Sequence, residues 1–131
     1  MKFLLDTHVW LWMGLERKRL GRRARALLED PGNDLGISVA SAWEIILKTA
    51  RGKLELPMEP SEYIRTRFRR AGASVLPITL DHVLALASLK GGHSDPFDRI
   101  LIAQALAENR TLITADKRIL DYPILSIDAR V

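Results

Sequence analysis

The chain contains no cysteine, which excludes disulfide frameworks, thiolate metal sites and cysteine nucleophiles. Histidine is scarce, at three residues, so a site of several imidazole ligands has little to draw on. No apolar run approaches the roughly 18 residues that a membrane span needs. The opening Met1-Lys2-Phe3-Leu4-Leu5 starts as a secretory signal would, but Asp6 and His8 end its apolar run after three residues. Internal repeats, low-complexity tracts and linkers are also missing. These absences lead to the expectation of a soluble, cytoplasmic protein in which residues 1–131 form a single domain.

The 131 residues are 47% hydrophobic and 27% charged, the composition of a globular protein. Twenty Lys and Arg against sixteen Asp and Glu leave a net charge of +4, which suits a polyanionic partner such as nucleic acid. Strand and helix signals alternate along the chain. Short apolar runs at Phe3–Leu5, Leu35–Val39, Val75–Ile78, Thr111–Thr114 and Ile124–Ile127 read as strands, with Pro77 marking the third as an edge or a strand end. Helices are expected over Arg19–Glu29, from Ser41 as N-cap to about Arg51, over Glu62–Ala71 and over Asp81–Leu89. Leu54-Glu55-Leu56-Pro57 reads as a loop or edge strand, and Gly91-Gly92-His93-Ser94 as a flexible loop. Asp95-Pro96 opens a last helix with a cap and a proline at its first position, and its apolar run from Ile100 to Ala107 implies burial on more than one face. Strands separated by helices predict an α/β sandwich around a mostly parallel sheet of four to five strands.

Ligands of such sheets gather beyond the carboxyl ends of the strands. Asp6 follows the first strand, Asp116 lies two residues past the fourth, and Glu44 and Asp98 are expected in the first turns of helices. Each acid has a local explanation as well. Glu44 completes a capping box, Ser41-Ala42-Trp43-Glu44, and Asp95 is an N-cap. Asp98 favours a helix dipole, Asp116 caps a turn and Asp6 ends a strand. Four together are harder to explain locally. Two carboxylates about 4 Å apart repel by roughly 4 kcal/mol at an effective dielectric of 20, so gathering several requires protons or a cation. An all-oxygen acidic site with little histidine suits Mg²⁺ or Mn²⁺. Such ions favour phosphodiester hydrolysis, activating a water and neutralising charge on the scissile phosphate.

Leu5-Asp6-Thr7-His8, Ser41-Ala42-Trp43-Glu44-Ile45 with Lys48 and Gly52-Lys53-Leu54, the stretch from His93 through Asp95-Pro96-Phe97-Asp98-Arg99 to Ala105, and Leu112-Ile113-Thr114-Ala115-Asp116 resemble, in order, the motifs of the PIN domain. More closely, the chain resembles the VapC toxins of type II toxin–antitoxin modules, over essentially its whole length. The resemblance implies a PIN-like three-layer sandwich and a Mg²⁺- or Mn²⁺-dependent endoribonuclease. Residue by residue, Asp6, Glu44, Asp98 and Asp116 match the family's acidic quartet. Asp6 and Asp98 would hold the metal, with Glu44 and Asp116 acting directly or through water. Asp95, one helical turn from Asp98, is a second candidate for the third position. The resemblance further implies an RNA substrate, a small antitoxin covering the acids, and a homodimer. A chain this short, with no appended domain, favours a toxin over a larger RNA-processing nuclease.

Other residues carry two readings each. Thr7 and Thr114 flank the acids and either orient them or bond only backbone. Arg99 either holds a carboxylate or contacts phosphate. Arg17, Lys18, Arg19, Arg22, Arg23 and Arg25 form one basic cluster and Arg65, Arg67, Arg69 and Arg70 another; these are phosphate tracks, solvated helix faces or contacts for an acidic partner. His8 and His93 read as structural or near substrate, and Trp10, Trp12 and Trp43 as core or subunit interface. A phosphoacceptor receiver domain fits poorly, because Asp6 stands without a paired acid and the fifth strand is followed by Asp128 and not lysine. A second rival is a non-catalytic nucleic-acid-binding or regulatory module that keeps the fold, which only activity separates from the enzyme; within the enzyme class, a DNA nuclease is the further alternative.

Overall fold

The structure is a computed structural model and describes residues 1–70, 73–91 and 95–131. Five strands form one sheet: β1 (Lys2–Leu5), β2 (Asp34–Ser38), β3 (Ser74–Leu76), β4 (Thr111–Thr114) and β5 (Ser126–Asp128). Their spatial order is β3-β2-β1-β4-β5 and every pairing is parallel, so the sheet is wholly and not mostly parallel. The helices between them are α1 (Thr7–Leu15), α2 (Arg22–Glu29), α3 (Val39–Ala50), α4 (Pro60–Arg70), α5 (Leu80–Ala85), α6 (Pro96–Ala107) and α7 (Lys117–Leu120). Short 3-10 turns at Arg17–Arg19 and Leu86–Ser88 lead into α2 and out of α5.

Period-two alternation along the strands divides the core between the two faces of the sheet. Phe3, Leu5, Ile37 and Ile113 join a cluster with Trp10 of α1, Leu28 of α2, Ile45 of α3 and Tyr63 of α4. Leu4 and Leu112 point the other way, onto Leu101, Ile102 and Ala105 of α6 and Ile119 of α7. The result is the expected helix–sheet–helix sandwich. The apolar run of α6 is buried through Ala105, as its composition requires. Among the described residues no helix is long and apolar enough to cross a membrane.

Several boundaries differ from the sequence reading, each for a local reason. The helix after β2 starts at Val39, because Ser38 and not Ser41 is its N-cap: the Ser38 hydroxyl accepts from the Ala40 amide at 3.0 Å. Ser41, Trp43 and Glu44 therefore lie inside α3 and form no capping box, and Glu44 sits in the second turn instead of the first. The fifth helix begins after Thr79, which caps it reciprocally with His82, so it starts one residue early and tightens into a 3-10 turn. β3 stops at Leu76, before Pro77, at the edge of the sheet as expected. β5 starts two residues late, although Leu125 already accepts from the Leu112 amide at 3.1 Å. The sequence reading named no helix at Thr7–Leu15, where consecutive apolar residues hide any single stripe. Ala71, Gly92, His93 and Ser94, on which expectations were placed, lie outside the described residues.

Candidate active site

The chain passes from β1 out to β2 and β3 on one side, then returns to β4 and β5 on the other. The reversal lies between β1 and β4, and the crevice beyond their carboxyl ends is where open parallel sheets bind ligands. Asp6 leaves β1 there and Asp116 leaves β4.

Asp6 occupies the N-cap position of α1, yet its carboxylate makes no cap hydrogen bond. It accepts instead from Thr114 Oγ1, at 2.7 Å, while that hydroxyl accepts from the Asp116 amide at 3.0 Å. Thr114 is thus fully buried between the two acids. On the next residue after Asp6, Thr7 Oγ1 lies 2.7 Å from Glu44 Oε1 and 2.8 Å from Ser41 Oγ. Glu44 Oε2 meets Lys48 Nζ at 2.6 Å, one helical turn further along α3. Both threonines therefore bond carboxylate side chains and not backbone alone.

Asp98 enters from the first turn of α6 and is 7% exposed. Its carboxyl is pushed up to about 8, first by burial and then by the charges of Asp6, Asp95, Asp116 and Glu44. Asp6, Asp95, Asp116 and Glu44 therefore all lie near enough to Asp98 for their charges to act on it. Burial also raises Asp6, with Glu44 adding to the shift against the hydrogen bond from Thr114 and the positive influence of His8. Asp95 is the N-cap of α6, accepting from the amides of Phe97 at 2.9 Å and Asp98 at 3.2 Å. One oxygen of Asp95, Oδ1, thus serves both amides of the helix start. Asp116 caps α7 by accepting from the Arg118 amide at 2.9 Å and pairs with the Arg118 side chain at 3.3 Å. Arg99 NH2 donates to the Leu89 carbonyl at 3.3 Å, tying α6 to the segment after α5.

Among the described residues, no three acidic or histidine side chains are arranged as a direct metal cage. The oxygen-only donor set nevertheless suits a hydrated divalent cation, since Mg²⁺ keeps several waters and binds through one or two carboxylates, and such a cation would offset the charge crowding that raises Asp98. A cavity of about 290 Å³ opens beside the acids, lined by Asp6, His8, Trp12, Ala115, Asp116 and Arg130.

Three residues of this region carried no individual reading, or a different one, at the sequence level. Lys48 is placed by an i, i+4 spacing from Glu44 that is visible in the sequence. Trp12 and Arg130 reach the cleft from α1 and from beyond β5, and only the tertiary fold brings them together. Of the other tryptophans, Trp10 is core, whereas Trp43 is 59% exposed against Phe97, with ring centroids 5.0 Å apart. The second basic cluster is not a uniform phosphate track. Arg67 donates to Tyr63 Oη at 2.7 Å and to the Trp10 carbonyl at 3.0 Å, and packs over both rings.

The fold defines an α/β protein with acidic side chains gathered at the carboxyl ends of its central parallel strands. Residues 3–125 match the PIN domain, and the chain belongs to that family. It is homologous to VapC ribonucleases. Over 123 residues it is 28% identical to ribonuclease VapC22 of Mycobacterium tuberculosis, covering 88% of each chain. It is 41% identical to ribonuclease VapC16 of the same organism over 58 residues, which span 44% of this chain but only 40% of that protein. Its fold superimposes on VapBC2 from Rickettsia felis, a structure bound to promoter DNA, with a TM-score of 0.72 at 15% identity over 97% of this chain and 98% of that one.

Proposed function

We propose that the protein is a VapC-type endoribonuclease, the toxin of a type II toxin–antitoxin module, which hydrolyses RNA phosphodiester bonds with Mg²⁺ or Mn²⁺. The observation that carries this reading is the convergence of Asp6, Glu44 and Asp116 on a buried Asp98 that holds its proton to about pH 8. A fold does not assemble that much repulsion for packing alone. Asp6 and Asp98 are the groups to hold the ion, with Glu44 and Asp116 bearing on it directly or through water. When bound, the ion supplies a Lewis acid to the scissile phosphate and makes an attacking water more acidic.

The chain's own residues do the positioning. Thr114 fixes Asp6 and spaces Asp116 through the amide it accepts from. Thr7 and Lys48 together engage both oxygens of Glu44 and set its orientation. The excess of basic residues draws the RNA backbone to a cleft whose floor is acidic.

The partners follow the same reading. A small antitoxin would cover the acids, and a cationic side chain on it would relieve the repulsion that a metal ion relieves. Homodimerisation is supported by an apolar face in which Leu80, Val83 and Leu84 of α5 and Trp43 of α3 are 71, 47, 59 and 59% exposed. The protein acts in the cytoplasm, where RNA is its substrate.

The test is cleavage of structured RNA by antitoxin-free protein, with Mg²⁺ or Mn²⁺ and again with EDTA, beside Asp98→Asn and Asp95→Asn. Metal-dependent cutting lost in Asp98→Asn and retained in part by Asp95→Asn is the expected result. No cutting and no metal binding in the wild type would instead support a non-catalytic module.

A further inference from the structure

Glu44 and Asp98 reach the site from opposite layers of the sandwich. Glu44 belongs to α3, whose Ile45 packs on one face of the sheet, and Asp98 to α6, whose Leu101 and Ile102 pack on the other. Each acid is tied to its own layer. Thr7 and Lys48 hold Glu44 at 2.7 and 2.6 Å, whereas Asp98 is fixed at the start of α6 by the Asp95 cap and Pro96. Strand ladders set the spacing of the layers within the sheet. Both acids lie beyond the strand ends, where that spacing depends on contacts between α3 and α6.

One such contact stands immediately before each acid in the chain. Trp43 precedes Glu44, Phe97 precedes Asp98, and the two rings meet edge to face at 79°, with centroids 5.0 Å apart. Edge-to-face is an attractive arrangement of aromatic quadrupoles. Successive residues of a helix lie about 100° apart around its axis, so each ring leaves its helix on a different flank from the acid that follows. The acids are buried, while Trp43 is exposed and Phe97 partly so. Core packing therefore does not account for the indole. Among the described ring contacts this is the pair that joins the two layers: Trp10–Phe68 lies within one layer and His8–Trp12 within one helix. The anchor on α6 is rigid, because the Phe97 amide donates to Asp95 Oδ1 at 2.9 Å and Pro96 fixes the first helical position.

Resting on the nuclease reading, we infer that Trp43 and Phe97 are positioning residues, an aromatic clamp that sets the separation of Glu44 and Asp98 for a hydrated divalent cation. The rings act through the acids that follow them. Two carboxylates in a partly buried site repel, and without a link across the layers that repulsion drives α3 and α6 apart at the point where both acids are needed. An aromatic pair opposes it without occupying a carboxylate oxygen. The clamp also borders the apolar face assigned above to homodimerisation, beside a hollow of about 250 Å³ that Ile78, Val83 and Leu86 help to line. Both rings belong to one chain, so the clamp works on the acids without a second copy.

The test uses the full chain, free of antitoxin, and Mn²⁺ binding read by electron paramagnetic resonance in the absence of RNA. Trp43→Leu should weaken Mn²⁺ binding about three- to ten-fold, the range an aromatic pair contributes, and Trp43→Phe, which restores a ring, should recover most of it. Phe97→Leu should match Trp43→Leu, and the double substitution should add little, since each removes the same contact. In RNA cleavage the loss should fall on kcat more than on KM. Melting temperatures in EDTA check that the variants are folded, and the exposure of Trp43 means that its replacement opens no core cavity. Equal Mn²⁺ binding by Trp43→Leu and Trp43→Phe, or additive losses in the double variant, overturns the inference, while wild-type RNA cleavage leaves the nuclease reading standing. Leu84→Ser, on the same apolar face but not adjoining an acid, should alter self-association and leave Mn²⁺ binding unchanged. A loss there as large as in Trp43→Leu would assign the effect to the second copy and overturn the inference as well. Absence of both Mn²⁺ binding and metal-dependent cleavage in the wild type removes the parent reading, a failure distinct from these.

Discussion

If four acids crowd Asp98, removing its charge should stabilise the metal-free protein, and the gain should depend on pH. In the folded chain Asp98 titrates near 8, whereas in the unfolded chain it returns to about 3.9. A carboxyl whose folded pKa lies above its unfolded value imposes no penalty below about pH 4, where both states are protonated. As pH rises from there towards 8, the unfolded state releases its proton and the folded state resists doing so. Stability is therefore lost at up to about 1.4 kcal/mol per pH unit, and the loss levels off above the folded pKa. The full window gives a ceiling of about 6 kcal/mol, and water at the open side of the cleft reduces it to about 2–3 kcal/mol. Asparagine occupies the same volume without a charge, so Asp98→Asn avoids this penalty.

For a chain of this length, 1 kcal/mol corresponds to about 4 °C in melting temperature, so Asp98→Asn should melt roughly 8–12 °C above wild type at pH 8.5 in EDTA. At pH 4.5 the two should nearly coincide. Thermal unfolding followed by circular dichroism measures both, and comparing variant with wild type cancels the titration of distant groups. Mn²⁺ should raise the wild-type melting temperature at pH 8.5 and narrow the gap, because the cation offsets the same repulsion. A variant that gains no stability between pH 4.5 and pH 8.5 relative to wild type would refute the argument that the acids burden the fold.

Thr114→Val should lower stability by about 1–3 kcal/mol by leaving buried Asp6 short of a donor, and should reduce kcat more than KM in RNA cleavage. Denaturant titration and steady-state kinetics test the two halves. Gly21→Ala should cost about 1–3 kcal/mol, because its new methyl group meets backbone at Val131 and not a side chain that can swing away. A melting temperature within a degree of wild type would show that the docking is loose. Replacing Arg22, Arg23 and Arg25 by serine should reduce the slope of log affinity against log salt for single-stranded RNA by about 2, at roughly 0.7 per lost phosphate contact. An unchanged slope would make that face a solvated one.

The parallel sheet, the edge placement of β3 and the burial of α6 were all legible because each depends on a pattern within a few residues. Short apolar runs bounded by breakers give strands, proline ends a ladder, and an apolar run longer than a strand gives a helix covered on two sides. The same local logic misassigned Ser41. Ser-Ala-Trp-Glu has the spacing of a capping box, but Ser38, three residues earlier, takes the cap. Ser41 is thereby released to meet Thr7, 34 residues away in sequence, while Glu44 meets Thr7 and Lys48. Asp6 shows the same diversion: it stands at the N-cap position of α1 and spends its carboxylate on Thr114, 108 residues distant. Asp95, by contrast, caps its own helix. The residue types alone do not separate these cases, because aspartate and serine satisfy near backbone or a far side chain with the same oxygens. What separates them is whether tertiary packing brings a second polar group to the helix start, as β4 brings Thr114 to Asp6. Asp116 shows that the two uses are not exclusive: it caps α7 through the Arg118 amide while its own amide is tied to Thr114, the residue that also holds Asp6.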